Sequence, residues 1–323
     1  MLLRTSVVAA TIMMNSLAGT TSNTPEKTVF VIAGATAVGK TDAAIALAER
    51  LGTAIISADS RQCYREMSIG TAKPSAEELA RVKHFFIDEF SVTEHISAAD
   101  YERLALEYLQ NIFQEKDHAI VCGGTGLYIK ALSEGLDEMP EVPESVTQEI
   151  QMLYEQNGLA WLQQAVLSED PEFYETADTE NPARLLRALA FRRATGKSIL
   201  TFRTGQRKPR PYRFVKCVLD LPRAVLYERI NLRVEKMMES GLLEEVRSLA
   251  PYKHLKNLQT VGYSELFAYL DGEWSLEFAI EKIKQHTRNY AKRQLTWFRK
   301  DPEYHWLDAR AIDLNDQIMA LKK

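Results

Sequence analysis

Residues Gly34-Ala35-Thr36-Ala37-Val38-Gly39-Lys40-Thr41 carry the spacing of a phosphate-binding loop. The glycines allow consecutive N–H groups to turn inward on an anion, Lys40 reaches the outer phosphates, and the Thr41 hydroxyl suits Mg²⁺. The loop binds a polyphosphate but names neither the molecule nor the bond that breaks. Three further segments carry residues fit for chemistry. Asp59, in Ser57-Ala58-Asp59-Ser60-Arg61-Gln62, could hold Mg²⁺ through water or take a proton from a nucleophile, or it could simply cap a turn. Gly123-Gly124-Thr125-Gly126 brings backbone close to a ligand or turns it sharply. Arg223, just after Leu221-Pro222, could stabilise charge on a departing phosphate, or stand at the surface.

Something must bring these segments together, and the pattern supplies an α/β fold. Strand-like runs at residues 28–33, 53–57, 84–88, 119–122 and 213–219 alternate with helical stretches, which predicts a P-loop-type parallel sheet flanked by helices. Ligands of such sheets lie at the carboxyl ends of strands, where the loop, Asp59, the glycine turn and Arg223 all fall. About ninety residues separate the fourth and fifth strands, too many for one crossover helix. The spacing therefore predicts a helical insertion domain over 136–211, with helices near 144–156, 159–167 and 182–195, the last ended by Gly196. The catalytic core would be 28–135 and 212–323, and after the fifth strand the chain reads as helical almost to its end.

The 323 residues, 46 % of them hydrophobic, suffice for a core of this kind. Cys63, Cys122 and Cys217 stand far apart with no paired metal spacing, which excludes a structural zinc and points to a reducing, cytoplasmic setting. Residues 1–27 read as a leader without structure, since the charged region of an export signal is thin there; no membrane span is expected. A net charge of −4 hides segregation. Residues 134–180 hold thirteen acids and no Lys or Arg, whereas 181–219 hold eleven Lys or Arg and no acid. A second acid-free stretch, 282–300, has seven bases. Lys284, Arg288 and Lys292 share one helical face there, and Ile283, Tyr290 and Trp297 read as the core face. Two basic runs in an acidic protein fit a phosphate-backbone partner.

From about Thr28 to Leu307 the chain resembles the tRNA dimethylallyltransferases, also called tRNA isopentenyltransferases. The resemblance rests on the loop at 34–41 and on Ser57-Ala58-Asp59-Ser60-Arg61-Gln62 with Tyr64. Further matches are Gly70-Thr71-Ala72-Lys73-Pro74, Gly123-Gly124-Thr125-Gly126-Leu127-Tyr128, and Asn181-Pro182 with Arg184 and Arg187. Gln259-Thr260-Val261-Gly262-Tyr263 and Thr287-Arg288-Asn289-Tyr290-Ala291-Lys292-Arg293-Gln294 with Thr296-Trp297 complete it. Two departures are visible: Ala35 stands where the family usually has proline, and the leader is longer than typical.

The resemblance implies transfer of a dimethylallyl group from its diphosphate to the exocyclic amine of the adenine 3′ of the tRNA anticodon, releasing diphosphate. Its partners would be the tRNA anticodon loop and dimethylallyl diphosphate, its cofactor Mg²⁺ at Thr41. Lys40, Thr41 and Arg223 would stabilise the departing diphosphate while Asp59 accepts the amine proton. Asp59, Ser60, Arg61, Gln62, Thr125, Arg184 and Arg187 would hold the RNA, with the adenine lifted from its stack. A P-loop small-molecule kinase and an adenylate prenyltransferase are alternatives, but neither calls for two basic runs; a non-catalytic RNA-binding protein is a third, against which Asp59 and Arg223 stand where chemistry would want them.

Overall fold

The computed structural model describes residues 26–322, so all but the last two residues of the leader expected at 1–27 lie outside the described residues. In chain order the first half comprises β1 (Thr28–Gly34), α1 (Lys40–Leu51), β2 (Ile55–Ser57), α2 (Ala76–Arg81), β3 (His84–Phe85), α3 (Ala98–Phe113), β4 (His118–Gly123) and α4 (Gly126–Glu134). Then follow α5 (Glu144–Glu169), α6 (Pro171–Thr176), α7 (Pro182–Thr195), β5 (Arg213–Asp220), α8 (Arg223–Glu239), α9 (Leu242–Ser248), α10 (Tyr263–Leu270), α11 (Leu276–Phe298), β6 (His305–Asp308) and α12 (Leu314–Ala320).

The strands form one sheet in the order β3-β2-β4-β1-β5-β6, with every pairing parallel. All of β1 is buried, as a central parallel strand covered on both faces must be. Its side chains alternate between two cores. Val29 and Val31 join Tyr101, Ile129 and Leu266 on one face. Phe30 and Ile32 join Ile45, Leu47, Ile230 and Ile318 on the other. Register places Ala33 beside Gly123 and Gly34 beside Leu219, so the turns after β1, β4 and β5 leave the sheet at one edge.

Helices α5, α6 and α7 bury a third core of their own, built on Ile150, Leu162, Val166, Phe173, Leu185, Leu189 and Phe191. Gly158 breaks α5 with φ 75°, dividing it where the spacing places two helices. Asn181 caps α7 by accepting from the Arg184 amide, Pro182 opens it, and Gly196 ends it at φ 71°.

Three expectations are corrected. The chain after β5 is not helical to its end, because β6 adds an edge strand beside β5; its His305, Trp306 and Asp308 are exposed, so no apolar run announces it. The third strand stops at Phe85, since Phe86 and Asp88 take φ of 64° and 57° and turn the chain away. Of the three α11 residues read as its core face, only Ile283 joins a buried core: Tyr290 lines a cavity, and Trp297 is 42 % exposed, packed where a Gly126 side chain would stand. Lys284 on the basic face is paired with Glu235 and Glu281, and Arg288 donates to Asn231.

Candidate active site

The loop predicted to hold phosphate runs from buried β1 into the first turn of α1. Gly34 at φ 151° and Gly39 at φ 107° make the two bends, and a Cβ on Gly34 would lie 2.8 Å from the Leu219 carbonyl. Ala37 also takes a left-handed conformation, at φ 65°. The Lys40 ammonium folds back to donate to the Ala35 carbonyl at 2.7 Å. Burial lowers its pKa to about 8, against smaller contributions from Cys122 and Asp59 that raise it and Arg233 that lowers it. An anion at the loop would meet that buried ammonium directly.

The loop opens on a cavity of about 440 Å³ lined by Thr36, Lys40, Thr41, Asp59, Gly124, Arg229, Arg233 and Tyr290. A second cavity, of about 230 Å³, is lined by Ser60, Arg61, Thr260, Tyr263 and Thr287 together with an apolar wall of Ile230, Val234, Met237 and Ile283. Thr36, Asp59, Thr71, Ala72, Arg233 and Tyr290 line both. Asp59 therefore stands where a phosphate cradle meets a separate, partly apolar chamber.

The Asp59 carboxylate serves both uses considered for it. One oxygen accepts from the amides of Arg61 at 2.9 Å and Gln62 at 3.3 Å, capping the turn after β2. Its other oxygen has no hydrogen-bond partner among the described residues. The turn is fixed from β4: the Thr125 amide donates to Ala58 O at 3.0 Å, and the Thr125 hydroxyl accepts from the Ser60 amide at 3.1 Å. Gly123 is obligatory there, since a Cβ would fall 2.2 Å from the Ala58 carbonyl oxygen. Tyr290 also bonds Thr125, and burial pushes its phenol well above the ordinary value.

Other expected residues are placed differently. The Gln62 side chain accepts from Ser57 and donates to the carbonyls of Thr71 and Ala72, so it latches the 68–74 segment to the site. Arg61 donates to the Ser60 carbonyl, and its Nε is buried without a partner. Arg184 and Arg187 are exposed on α7 and do not line either cavity; they flank Arg203, whose pKa is lowered first by burial and then by these two neighbours. Arg223 is not brought to the phosphate loop. It lines another cavity and stacks over Tyr227. At 100° per residue it sits roughly 120° round α8 from Arg229.

Arg229 and Arg233, one turn apart, occupy the position assigned to Arg223. Arg229 donates to Val38 O at 3.5 Å and Arg233 to the Thr36 hydroxyl at 3.4 Å. Burial lowers the Arg233 pKa, with Asp59 opposing and Arg229 adding to the shift. Their i, i+4 spacing was the available signal. Also unassigned by sequence reasoning is Glu245, which accepts from the amides of Ser68, Ile69 and Gly70 and from the Tyr263 hydroxyl. It pins the segment that Gln62 latches. No local pattern marks it, because the amides it pins lie some 175 residues earlier.

The residues fit Mg²⁺ at the loop: Thr41 lies in the phosphate cavity, and its hydroxyl is the kind of hard-oxygen donor such an ion takes beside phosphate. Glu134, Asp301 and Glu303 are close enough together to suggest another ion, but Lys216 stands among them at 3.0, 3.1 and 2.9 Å. No helix among the described residues is long and apolar enough to cross a membrane.

Residues 62–301 match the family model described as IPP transferase. The tRNA dimethylallyltransferase 1 of Bacteroides thetaiotaomicron is 47 % identical over 279 residues, 86 % of this chain and 91 % of that protein. The tRNA dimethylallyltransferase of Cytophaga hutchinsonii is 44 % identical over 280 residues, 87 % of this chain and 92 % of that one. Among solved structures, the tRNA isopentenylpyrophosphate transferase of Bacillus halodurans superposes with a TM-score of 0.67 at 36 % identity, covering 92 % of this chain and 94 % of that one. A eukaryotic dimethylallyltransferase acting on tRNA gives 0.75 at 25 % identity, over 91 % and 78 %. With the phosphate loop, the Asp59 turn and the Gly123-Gly124-Thr125 turn converging on one site, and relatives this similar along most of both lengths, the chain belongs to the IPP transferase family, the tRNA dimethylallyltransferases.

Proposed function

We propose that this chain transfers a dimethylallyl group from dimethylallyl diphosphate to the exocyclic amine of the adenine 3′ of the tRNA anticodon, releasing diphosphate. The observation that carries this reading is the meeting of two cavities at Asp59. The diphosphate occupies the cradle of the 34–41 loop, and the adenine, lifted from its stack, enters through the second chamber past Ser60 and Thr260.

An adenine amine is a weak nucleophile because its lone pair is delocalised into the ring. As the new C–N bond forms, the allylic C–O bond breaks and its electron pair leaves on diphosphate. Lys40, Arg229 and Arg233 stabilise that charge. The proton lost by the amine goes to the uncapped oxygen of Asp59, while the capped oxygen holds the carboxylate in place. Thr41 would hold Mg²⁺, which when bound would supply further neutralisation of the leaving group. Residues 28–135 and 212–323 act as the catalytic core, and 136–211 grips the anticodon stem through Arg184, Arg187 and Arg203, in a cytoplasmic enzyme.

The test is incubation with labelled dimethylallyl diphosphate and either tRNA or free AMP. Label is expected in tRNA and absent from AMP; a protein that labels AMP but not tRNA overturns the assignment.

A further inference from the structure

The second chamber, which the adenine enters, has the turn at 260–263 as one wall and α11 as the next, through Ile283, Thr287 and Tyr290. That turn offers the chamber no charged group, yet it is held from two directions. At one end the Tyr263 ring packs on Gly70, where a Cβ would fall 2.6 Å from it, and the Tyr263 hydroxyl donates to Glu245 at 2.7 Å. At the other, Gly262, at φ 97°, donates its amide to the Glu265 carboxylate at 2.7 Å.

Glu265 stands in the first turn of α10, where a capping carboxylate is ordinarily wet, but its side chain is 3 % exposed. Its second oxygen meets His286 Nδ1 at 2.6 Å. A carboxylate only accepts, so the imidazole donates. Among the described residues no Lys or Arg pairs with Glu265, which leaves His286 as its one ionisable partner. On α11 His286 lies roughly 60° round the helix from Ile283 and 40° from Tyr290, beside the stripe that faces the chamber. Neither Glu265 nor His286 lines the chamber itself. Together they tie its turn to its helix. Without the imidazole a buried carboxylate oxygen is left unpaired, and the cheapest repair tilts α10 until that oxygen reaches water, taking the turn with it. The diphosphate cavity includes none of residues 260–263, so such a shift bears on the acceptor and not on the donor.

We propose that His286 is a positioning residue for the acceptor base: through Glu265 it fixes the Gly262 turn against α11 and so sets the width of the chamber that receives the adenine. The inference rests on that chamber being the acceptor's.

The test compares His286→Ala, His286→Phe and His286→Asn with the unmodified enzyme, using tRNA and dimethylallyl diphosphate. Asn carries an amide N–H close to where the imidazole Nδ1–H stands, whereas Phe keeps the ring and loses the donor. For tRNA, kcat/KM is expected to fall about tenfold in the Ala and Phe variants and to return to within about twofold in the Asn variant, as loss and rescue of a hydrogen bond to a charged group require. The KM for dimethylallyl diphosphate stays within about twofold throughout. A Phe variant as good on tRNA as the unmodified enzyme overturns the proposal, and so does an Asn variant no better than Phe. An equal rise in KM for both substrates overturns it as well, because the contact would then support the fold and not the acceptor wall. Thermal melting checks folding; if the Ala variant melts early, the Phe and Asn variants decide alone, since His286 is 42 % exposed and both fill its place. Failure of the unmodified enzyme to label tRNA would instead sink the function itself.

Discussion

Gln294 joins two loops far apart in sequence: its side-chain oxygen accepts from the Thr36 amide at 2.9 Å, while its nitrogen donates to the Gly124 carbonyl at 3.0 Å. One amide side chain, 6 % exposed, thereby ties the phosphate loop to the turn that positions Asp59.

Replacing Gln294 with Leu leaves a part-buried donor and a buried acceptor without their partner. A destabilisation of about 2 kcal/mol is expected in urea unfolding, with a larger KM for dimethylallyl diphosphate as the loop loses its anchor. Gly124→Ala should behave similarly, because its Cβ would fall 2.1 Å from the Gln294 side-chain nitrogen.

Asp59→Asn keeps the turn cap nearly intact, an amide oxygen replacing the capping carboxylate oxygen, but cannot take a proton. A fall in kcat of about 10²- to 10⁴-fold is expected, with tRNA affinity in a filter-binding measurement within twofold. A variant retaining full kcat would remove the general-base role.

Lys40 gives the donor site a pH dependence. Its pKa is lowered to about 8 in the folded protein, so the free site loses its ammonium as pH rises through 8. Binding of inorganic diphosphate, which needs the cation, should weaken across that range, with proton uptake visible as buffer-dependent heat in calorimetry. The linkage to stability has the opposite sense. The unfolded chain binds the proton more tightly between about 8 and the ordinary value of 10.5, so this group makes folding more favourable as pH rises there. Lys40→Met should flatten both profiles.

Lys216 is 4 % exposed and bonds Glu134, Asp301 and Glu303. Burial alone would lower it; hydrogen bonds to Glu303 and Glu134 more than offset this and hold it above the ordinary value. Lys216→Ala leaves three carboxylates facing one another and should cost about 3 kcal/mol, the lower end for a broken buried pair because Glu303 is half exposed. Added Ca²⁺ should restore part of that loss in a thermal melt of the variant and leave the unmodified protein unaffected.

The buried parallel strands and the helices between β4 and β5 were legible because their signals are local: continuous apolar runs, a capping Asn181 with Pro182, a terminating Gly196. Strand β6 was not, since an exposed edge strand of His, Trp and Asp has no apolar pattern to show. The same distinction holds at the site. Lys40, Asp59 and Thr125 follow strands directly, and the sheet alone brings them to one edge. Arg229 and Arg233 depend on the rotation of α8, which only packing against the sheet decides; sequence order favoured Arg223, nearest the strand. Glu245 and Gln294 contribute through partners more than 150 residues away, beyond the reach of any spacing rule.

Tyr290 and Gln294 close the cavity of the phosphate loop from α11, some 250 residues after Gly34, where that loop begins. During synthesis the loop leaves the ribosome long before its far wall exists. A nascent chain therefore passes most of its elongation with a phosphate loop and no site, and competence for the donor arrives all at once, when α11 emerges and docks.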